Sequence, residues 1–249
     1  MHPVLVDIGP ITLYSYGFFI AAAILLGLGL SMREARLKNL NHKLLPDLGF
    51  YLILGALAGS RLLYVLLNPA YFLEHPLQML QFWKGGLVFV GGAIAAGLIA
   101  WFYLSRKQEP FRKWLDVFAP GIAAGQALGR IGCFMAGCCY GKQCALPWSV
   151  TFKNPDSLAP LHSPLHPTQL YHSLSGVMLF ILLITARKKI RHPGQLFALF
   201  LMLYALFRFV IEFFRGDFRG HLAFLSVTQW IVSCVFVLGV SLFVLFRRS

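Results

Sequence analysis

An all-α, polytopic membrane fold of about seven transmembrane helices is what this sequence predicts, and three observations predict it. Of its 249 residues, 58% are hydrophobic and only 12% charged, and the mean hydropathy is +0.69, a balance far too apolar for a soluble domain of this length. The apolar residues fall into seven runs, at about 13–31, 47–67, 87–104, 116–135, 169–186, 194–214 and 225–246, each near the ~20 residues an α-helix needs to cross a bilayer. Lysines and arginines crowd every second segment between those runs. Helices satisfy their own backbone hydrogen bonds in lipid, whereas a membrane barrel would read as short alternating segments, which this sequence lacks. The formal charge of +13 would suggest nucleic acid only if the basic residues shared one soluble face. They are dispersed, so no nucleic-acid partner is expected.

Taken in order, the first run follows Met1-His2-Pro3-Val4 with no basic n-region, so the first span is expected to be retained rather than cleaved as a signal peptide. The fourth run is the most dilute, because Gly121, Gly125, Gly129 and Gly132 interrupt it. Together with Ala123, Ala124 and Ala127 they give small-residue faces that let helices approach closely. The longest extramembrane segment, about 136–168, carries Trp148 and Phe152 among polar residues and reads as a short surface hairpin ending at His166-Pro167-Thr168-Gln169-Leu170-Tyr171. Residues 1–249 are read as a single transmembrane domain with that outer loop.

Orientation follows from the basic residues. Fourteen of the 22 lie after spans one, three and five and at the C-terminus, among them Arg33, Arg36, Arg106, Lys107, Arg187, Lys188 and Arg247; five lie in the alternate segments. The excess marks the cytoplasmic side, so the N-terminus is expected outside and the C-terminus in the cytoplasm. The remaining three, Arg61, Arg130 and Arg208, fall inside spans two, four and six. With that topology all three spans run outward, and each arginine lies past the middle of its run, at one level in the outer half of the membrane beside Tyr14 and Tyr16.

An arginine at membrane depth costs about 2.5 to 17 kcal/mol, so it is kept for a partner or a ligand. Three at one level read as an anion site, and arginine suits phosphate because its planar fork binds two oxygens at once. The plainer reading of Arg130 is that it snorkels to the headgroups. Tyr204, Arg208, Glu212 and Arg215 are spaced i, i+4, i+8, i+11 and share one helical face. Arg208 and Glu212 can pair there, as part of the site or as a structural ion pair holding span six.

Cys234 lies in span seven and reads as a small packing residue. Cys133, Cys138, Cys139 and Cys144 crowd the outer side. They are open to three readings: disulfides in an oxidising compartment, a reactive thiolate favoured by Arg130, or soft-metal ligands with His162 or His166. Their spacing fits none of the paired CxxC patterns of structural zinc sites, so no metal and no cofactor is expected.

The chain resembles the prolipoprotein diacylglyceryl transferase family of the bacterial inner membrane over nearly its whole length. The resemblance rests on six blocks in order: Ile8-Gly9-Pro10 with Tyr16-Gly17; Gly59-Ser60-Arg61 with Tyr64 and Asn68; Gly85-Gly86 through Gly91-Gly92; Gly129-Arg130-Ile131-Gly132; His166 through Tyr171; and Tyr204 through Arg215. Against the family pattern, Val90 stands where a histidine proposed for catalysis is found. Cys133 and Ala136 replace asparagines, Cys138 replaces an acid, and His172 replaces the acid after the His166 block.

The resemblance implies transfer of the diacylglyceryl group of phosphatidylglycerol to the lipobox cysteine of a prolipoprotein, or to a related acceptor, with glycerol phosphate released at the outer leaflet of the bacterial cytoplasmic membrane. Arg130, Arg208, His166 and Glu212 are the expected catalytic residues. Tyr16, Arg61, Gln169, Tyr204 and Arg215 are expected to bind substrate, with Cys133, Cys138 and Cys139 as a thiol site. The base for the attacking thiol is open between His166, Glu212 and activation by the arginines alone, and Cys138 or Cys139 could instead be an enzymic nucleophile. The expected partners are phosphatidylglycerol, the prolipoprotein signal-peptide region and membrane lipids. The reading from another class is a non-catalytic binder of anionic phospholipid, or a thiol-redox membrane protein.

Overall fold

Long helices form on each of the seven apolar runs in this computed structural model, which describes residues 2–9, 11–217, 220–222 and 224–248. They are α1 (Ser15–Leu37), α2 (Leu45–Leu67), α4 (Phe89–Arg106), α5 (Phe111–Ala136), α6 (Thr168–Ala186), α7 (Gln195–Glu212) and α8 (Val227–Arg248), with a short α3 (Pro69–Glu74) between α2 and α4. Six of the seven are long and apolar enough to cross a membrane. The exception is α5, where glycines together with Arg112, Lys113, Asp116 and Arg130 lower the hydropathy that the sequence already shows to be dilute. Leu25, Leu62, Phe89, Leu98 and Val237 stand exposed on these helices, apolar area of the kind that lipid, not water, covers. The chain is a multi-pass membrane protein.

Among the described residues the strands form three two-stranded antiparallel hairpins and no closed sheet. The first, β1 (Val4–Ile8) with β2 (Ile11–Tyr14), precedes α1 and was not legible in the sequence. The second pairs β3 (Val150–Thr151) with β4 (Pro164–Leu165) inside the loop between α5 and α6, where Phe152 is buried against Ala159 and Leu165. The third pairs β5 (His221–Leu222) with β6 (Leu225–Ser226) before α8.

The chain divides into two compact units, residues 35–111 and residues 1–34 with 112–249. In the first, α2 and α4 pack through small residues. A Cβ on Gly59 would lie 2.6 Å from the Gly91 carbonyl oxygen, and one on Gly92 would lie 2.8 Å from that of Ala56. Backbones this close maximise dispersion contact where no hydrophobic drive separates helix from lipid. At the end of α2, Arg61 turns onto its own unit. Its Nε donates to the Met79 carbonyl at 2.9 Å, Nη2 to Gln78 at 2.5 Å, and Nη1 to Gly85 at 2.7 Å and Gly86 at 3.2 Å.

In the second unit α5 offers its small residues to two neighbours. A Cβ on Gly121 would come 2.5 Å from the Gly27 carbonyl oxygen of α1, and one on Gly176 of α6 would come 2.9 Å from the Ala127 nitrogen. Pro120 sits inside α5 and removes one intrahelical hydrogen bond there. Below it Ala119, Ala123, Leu179, Leu183, Leu196 and Phe200 form the core. The buried Asp116 of α5 accepts from the Gly194 nitrogen at 2.8 Å and the Phe197 nitrogen at 2.9 Å. It therefore caps α7 across the helix interface, satisfying amides that have no intrahelical acceptor. Gly194 takes φ +90, a conformation open to glycine without strain. Asp116→Ala leaves those amides without an acceptor and is expected to cost about 1–3 kcal/mol, seen as a lower midpoint of thermal unfolding in detergent.

Candidate functional site

The C-terminal end of α5 carries Arg130 and, one turn on, Cys133. The chain leaves this helix through Gly137 at φ +78 and Cys139 at φ +60. A Cβ at Gly137 would collide with the Ser157 side chain, and a left-handed conformation is uncommon for a residue such as Cys139. These two reversals fold the loop back on the helix, and the sulfurs of Cys133, Cys138 and Cys139 come within 4.8 Å of one another. No disulfide joins any of the five cysteines. The start of α6 holds the turn: Thr168 Oγ1 donates to the Cys139 carbonyl at 2.7 Å and Gln169 Nε2 to the Cys138 carbonyl at 2.8 Å, both side chains being fully buried.

The loop then pairs with the segment after α7. Lys142 N donates to the Phe214 carbonyl at 2.8 Å, and Gly216 N to that of Tyr140 at 3.1 Å. This stitching sets Arg215 beside Cys139. Arg215 is only 5% exposed and grips Asp217 with its fork, Nε to Oδ1 at 2.8 Å and Nη2 to Oδ2 at 2.6 Å. Its Nε also stands 3.8 Å from Glu212 Oε2, and that same oxygen accepts from Arg208 Nη1. The other Glu212 oxygen accepts from Ser226 Oγ at 3.2 Å. Ser226 and Gln229 cap each other at the start of α8, Ser226 N to Gln229 Oε1 at 2.9 Å and Gln229 N to Ser226 Oγ at 3.1 Å, the reciprocal arrangement of a capping box. Glu212 is thus a clamp on two arginines and is anchored to α8.

His172, on the buried face of α6, lies within electrostatic reach of Arg130, Arg208, Arg215 and Cys139. Around it three polar atoms are buried without a hydrogen-bond partner: His172 Nε2, Gln169 Oε1 and Arg215 Nη1. Native interiors satisfy almost all such atoms, so a cluster of them points to a ligand. The charges agree. Arg208 and Arg215 share the carboxylates of Glu212 and Asp217, and among the described residues no ion pair holds Arg130.

The thiols feel this field. Hydrogen bonds from Cys133 and Cys138, with Arg215 alongside, hold the Cys139 thiol well below the usual thiol range, against the opposing effect of burial. Cys138 is pushed up, because its hydrogen bonds with Cys133 and Cys139 favour the protonated form. For Arg215, burial works against the charge and Asp217 and Cys139 more than restore it, leaving it above the ordinary arginine range.

Of the residues expected from the sequence, Arg130, Arg208, Arg215, Glu212, Gln169 and the three cysteines gather here. Tyr16 joins them within reach of Arg130 and Cys138, lining with Cys138 an open cavity of about 720 Å³. Tyr204 stacks on Phe200 at 5.9 Å and reaches Arg208. His166 sits in an aromatic cage instead. Its Nδ1 lies 3.1 Å from Tyr171 Oη, which also accepts from Trp148 Nε1 at 2.8 Å, and Phe214 packs edge-on against it. Arg61 belongs to the 35–111 unit. Sequence reasoning did not place Asp217, Ser226 or His172 in the site. The available signal for His172 was its i, i+3 spacing from Gln169 within an otherwise apolar run.

A profile of the family "Prolipoprotein diacylglyceryl transferase" matches residues 3–245. Proteins named phosphatidylglycerol–prolipoprotein diacylglyceryl transferase are similar along most of their length. One from Clostridium tetani is 33% identical over 243 residues, covering 98% of this chain and 97% of its own. One from Bordetella avium is 39% identical over 254 residues, covering 99% and 95%. One from Trichormus variabilis is 38% identical over 224 residues, covering 86% and 79%.

Proposed function

The chain belongs to the prolipoprotein diacylglyceryl transferase family, and on that premise we propose that it moves the diacylglyceryl group of phosphatidylglycerol onto the lipobox cysteine of a prolipoprotein. In this reaction the cysteine sulfur attacks the glyceryl carbon that bears the phosphate. A C–S bond forms, the C–O bond breaks, and its electron pair leaves on glycerol phosphate. The diester carries one negative charge and the departing monoester a second, so cations fixed at the phosphate bind the transition state more tightly than the substrate.

The observation that carries this reading is the cluster of Arg130, Arg208 and Arg215 around three unused buried polar atoms. Arg130 is assigned the phosphate, with Arg208 and Arg215 held in place by Glu212 and Asp217 so that little reorganisation is needed during the reaction. Tyr16, Gln169 and Tyr204 complete the substrate side, while Arg61 braces the 78–86 segment of its own unit. His172, whose unused Nε2 lies beside the arginines, donates to a phosphate oxygen, and the thiol proton passes to the departing phosphate group, a weak base near neutral pH. His166 orients Tyr171.

The direct test incubates the purified protein with phosphatidylglycerol radiolabelled in its acyl chains and a lipobox peptide. Label on the peptide that survives thioester cleavage is the expected result. Retention of the lipid without peptide labelling would leave only a phospholipid-binding protein. A His172→Gln variant that transfers at the full rate would remove His172 from the phosphate site.

The reading also sets the active site toward the outer leaflet of the bacterial cytoplasmic membrane, with basic segments on the cytoplasmic side. Reporter fusions after Arg36, Arg106 and Lys188 are expected to signal from the cytoplasm, and one after Lys153 from outside. An internal signal at Lys153 would reverse the orientation.

A further inference from the structure

We infer that Cys133, Cys138 and Cys139 form a three-thiolate binding site for a soft closed-shell cation, Cu⁺ or Zn²⁺, beside the arginine cluster. The three sulfurs already lie within 4.8 Å of one another. Three thiolates around one such ion at about 2.3 Å stand roughly 3.7–4.0 Å apart, so closure asks for less than about an ångström of movement. Thiolate sulfur is the ligand type that selects these two ions. The sequence hid the site, because one ligand sits on the last turns of a helix and two on the loop after it, a spacing outside the paired CxxC patterns.

The turn is built to hold this arrangement. Gly137 and Cys139 both take left-handed conformations, and an uncommon conformation at a residue with a side chain persists only where its surroundings enforce it. Here the enforcing groups are Thr168 and Gln169, whose side chains hold the carbonyls of Cys139 and Cys138. They fix the backbone of two ligands as outer-sphere partners do in metal sites. Electrostatics agree as well. Each thiol that binds releases a proton, so three thiolates leave a net charge of −1 with Zn²⁺ and −2 with Cu⁺. Arg130 lies beside Cys133 and Arg215 beside Cys139, which offsets that charge in a buried setting. Access exists too: Cys138 lines the open cavity with Tyr16. No fourth His, Cys, Asp or Glu joins the group among the described residues, which leaves three-coordinate Cu⁺ or Zn²⁺ with one exchangeable position.

The test is metal binding by the full-length protein in detergent, reduced and handled without oxygen, and it needs no transfer activity. Cu⁺ is titrated against bicinchoninate and Zn²⁺ against a pyridylazo chelator. One equivalent of either ion is expected. Cys133→Ser, Cys138→Ser and Cys139→Ser should each weaken binding by on the order of 100-fold or more, at least the loss seen on disturbing an outer-sphere partner. Cys144→Ser and Cys234→Ser should bind as wild type. Because a serine variant can fail to fold, the wild-type protein is also alkylated with and without metal and its labelled cysteines located by mass spectrometry. Protection of these three thiols together is expected. Failure to bind either ion, unchanged affinity in any of the three variants, protection of a different set, or a disulfide among the three in protein isolated without oxygen would each overturn the site.

Discussion

Arg130→Ala reduces diacylglyceryl transfer by at least about 100-fold, the usual cost of deleting one donor aimed at charge that develops in a transition state. The expectation rests on how the arginines near His172 are paired. Arg208 and Arg215 share Glu212, Arg215 is further held by Asp217, and Arg130 supplies the charge that a phosphodiester can match. Arg130→Lys keeps that charge and loses the fork, so it should recover only part of the rate, since an ammonium cannot engage two phosphate oxygens in the same plane. Because Arg130 is without an ion pair among the described residues and only partly buried, both variants should fold and unfold near the wild-type temperature. The peptide-labelling assay reads the rate, and thermal unfolding in detergent reads the fold. Wild-type transfer in Arg130→Ala would remove that residue from the phosphate site.

Glu212→Ala acts on stability, with an expected loss of about 3–5 kcal/mol, the range found when one partner of a buried ion pair is removed. Its carboxylate is the common acceptor of Arg208, Arg215 and Ser226, so truncation leaves two buried guanidiniums facing each other and frees the cap of α8. Glu212→Gln keeps the shape and one acceptor oxygen and should lose less stability, while still leaving the arginines without their counter-charge. A general base would behave differently: Glu212→Gln would abolish transfer with the unfolding temperature intact. The clamp role predicts the reverse weighting, a lowered unfolding temperature accompanied by weaker lipid retention.

Much of the fold was legible because the bilayer imposes its own arithmetic. Apolar runs of membrane length mark the helices, and α2, α6 and α7 begin within two residues of the expected runs at 47, 169 and 194. The glycines of α5 announced close packing, and Gly121 and Gly176 show it in their approach to Gly27 and Ala127. The hairpin of β1 and β2 was not legible, because a mostly apolar segment of five residues, Val4–Ile8, carries no period that separates strand from the start of a helix.

For the site, the sequence by itself determined the ingredients. Arginines inside apolar runs pointed to an anion site, and the i, i+4, i+8 spacing puts Tyr204, Arg208 and Glu212 on one face of α7 whatever the rest of the chain does, while Arg215 follows just beyond the helix end. Tertiary structure decided the contacts. Whether Glu212 is a base or a clamp depends on Ser226, which reaches it from α8. Whether His166 or His172 meets the arginines depends on which of them faces inward from the start of α6, and Arg61 is committed to carbonyls of its own unit. The three thiols converge only because Gly137 and Cys139 reverse the chain after α5 and Thr168 and Gln169 hold the reversal. Periodicity records which residues share an element's face. Contacts between elements are set by packing and by hydrogen bonds that span 29 to 31 residues of chain, and no local pattern encodes them.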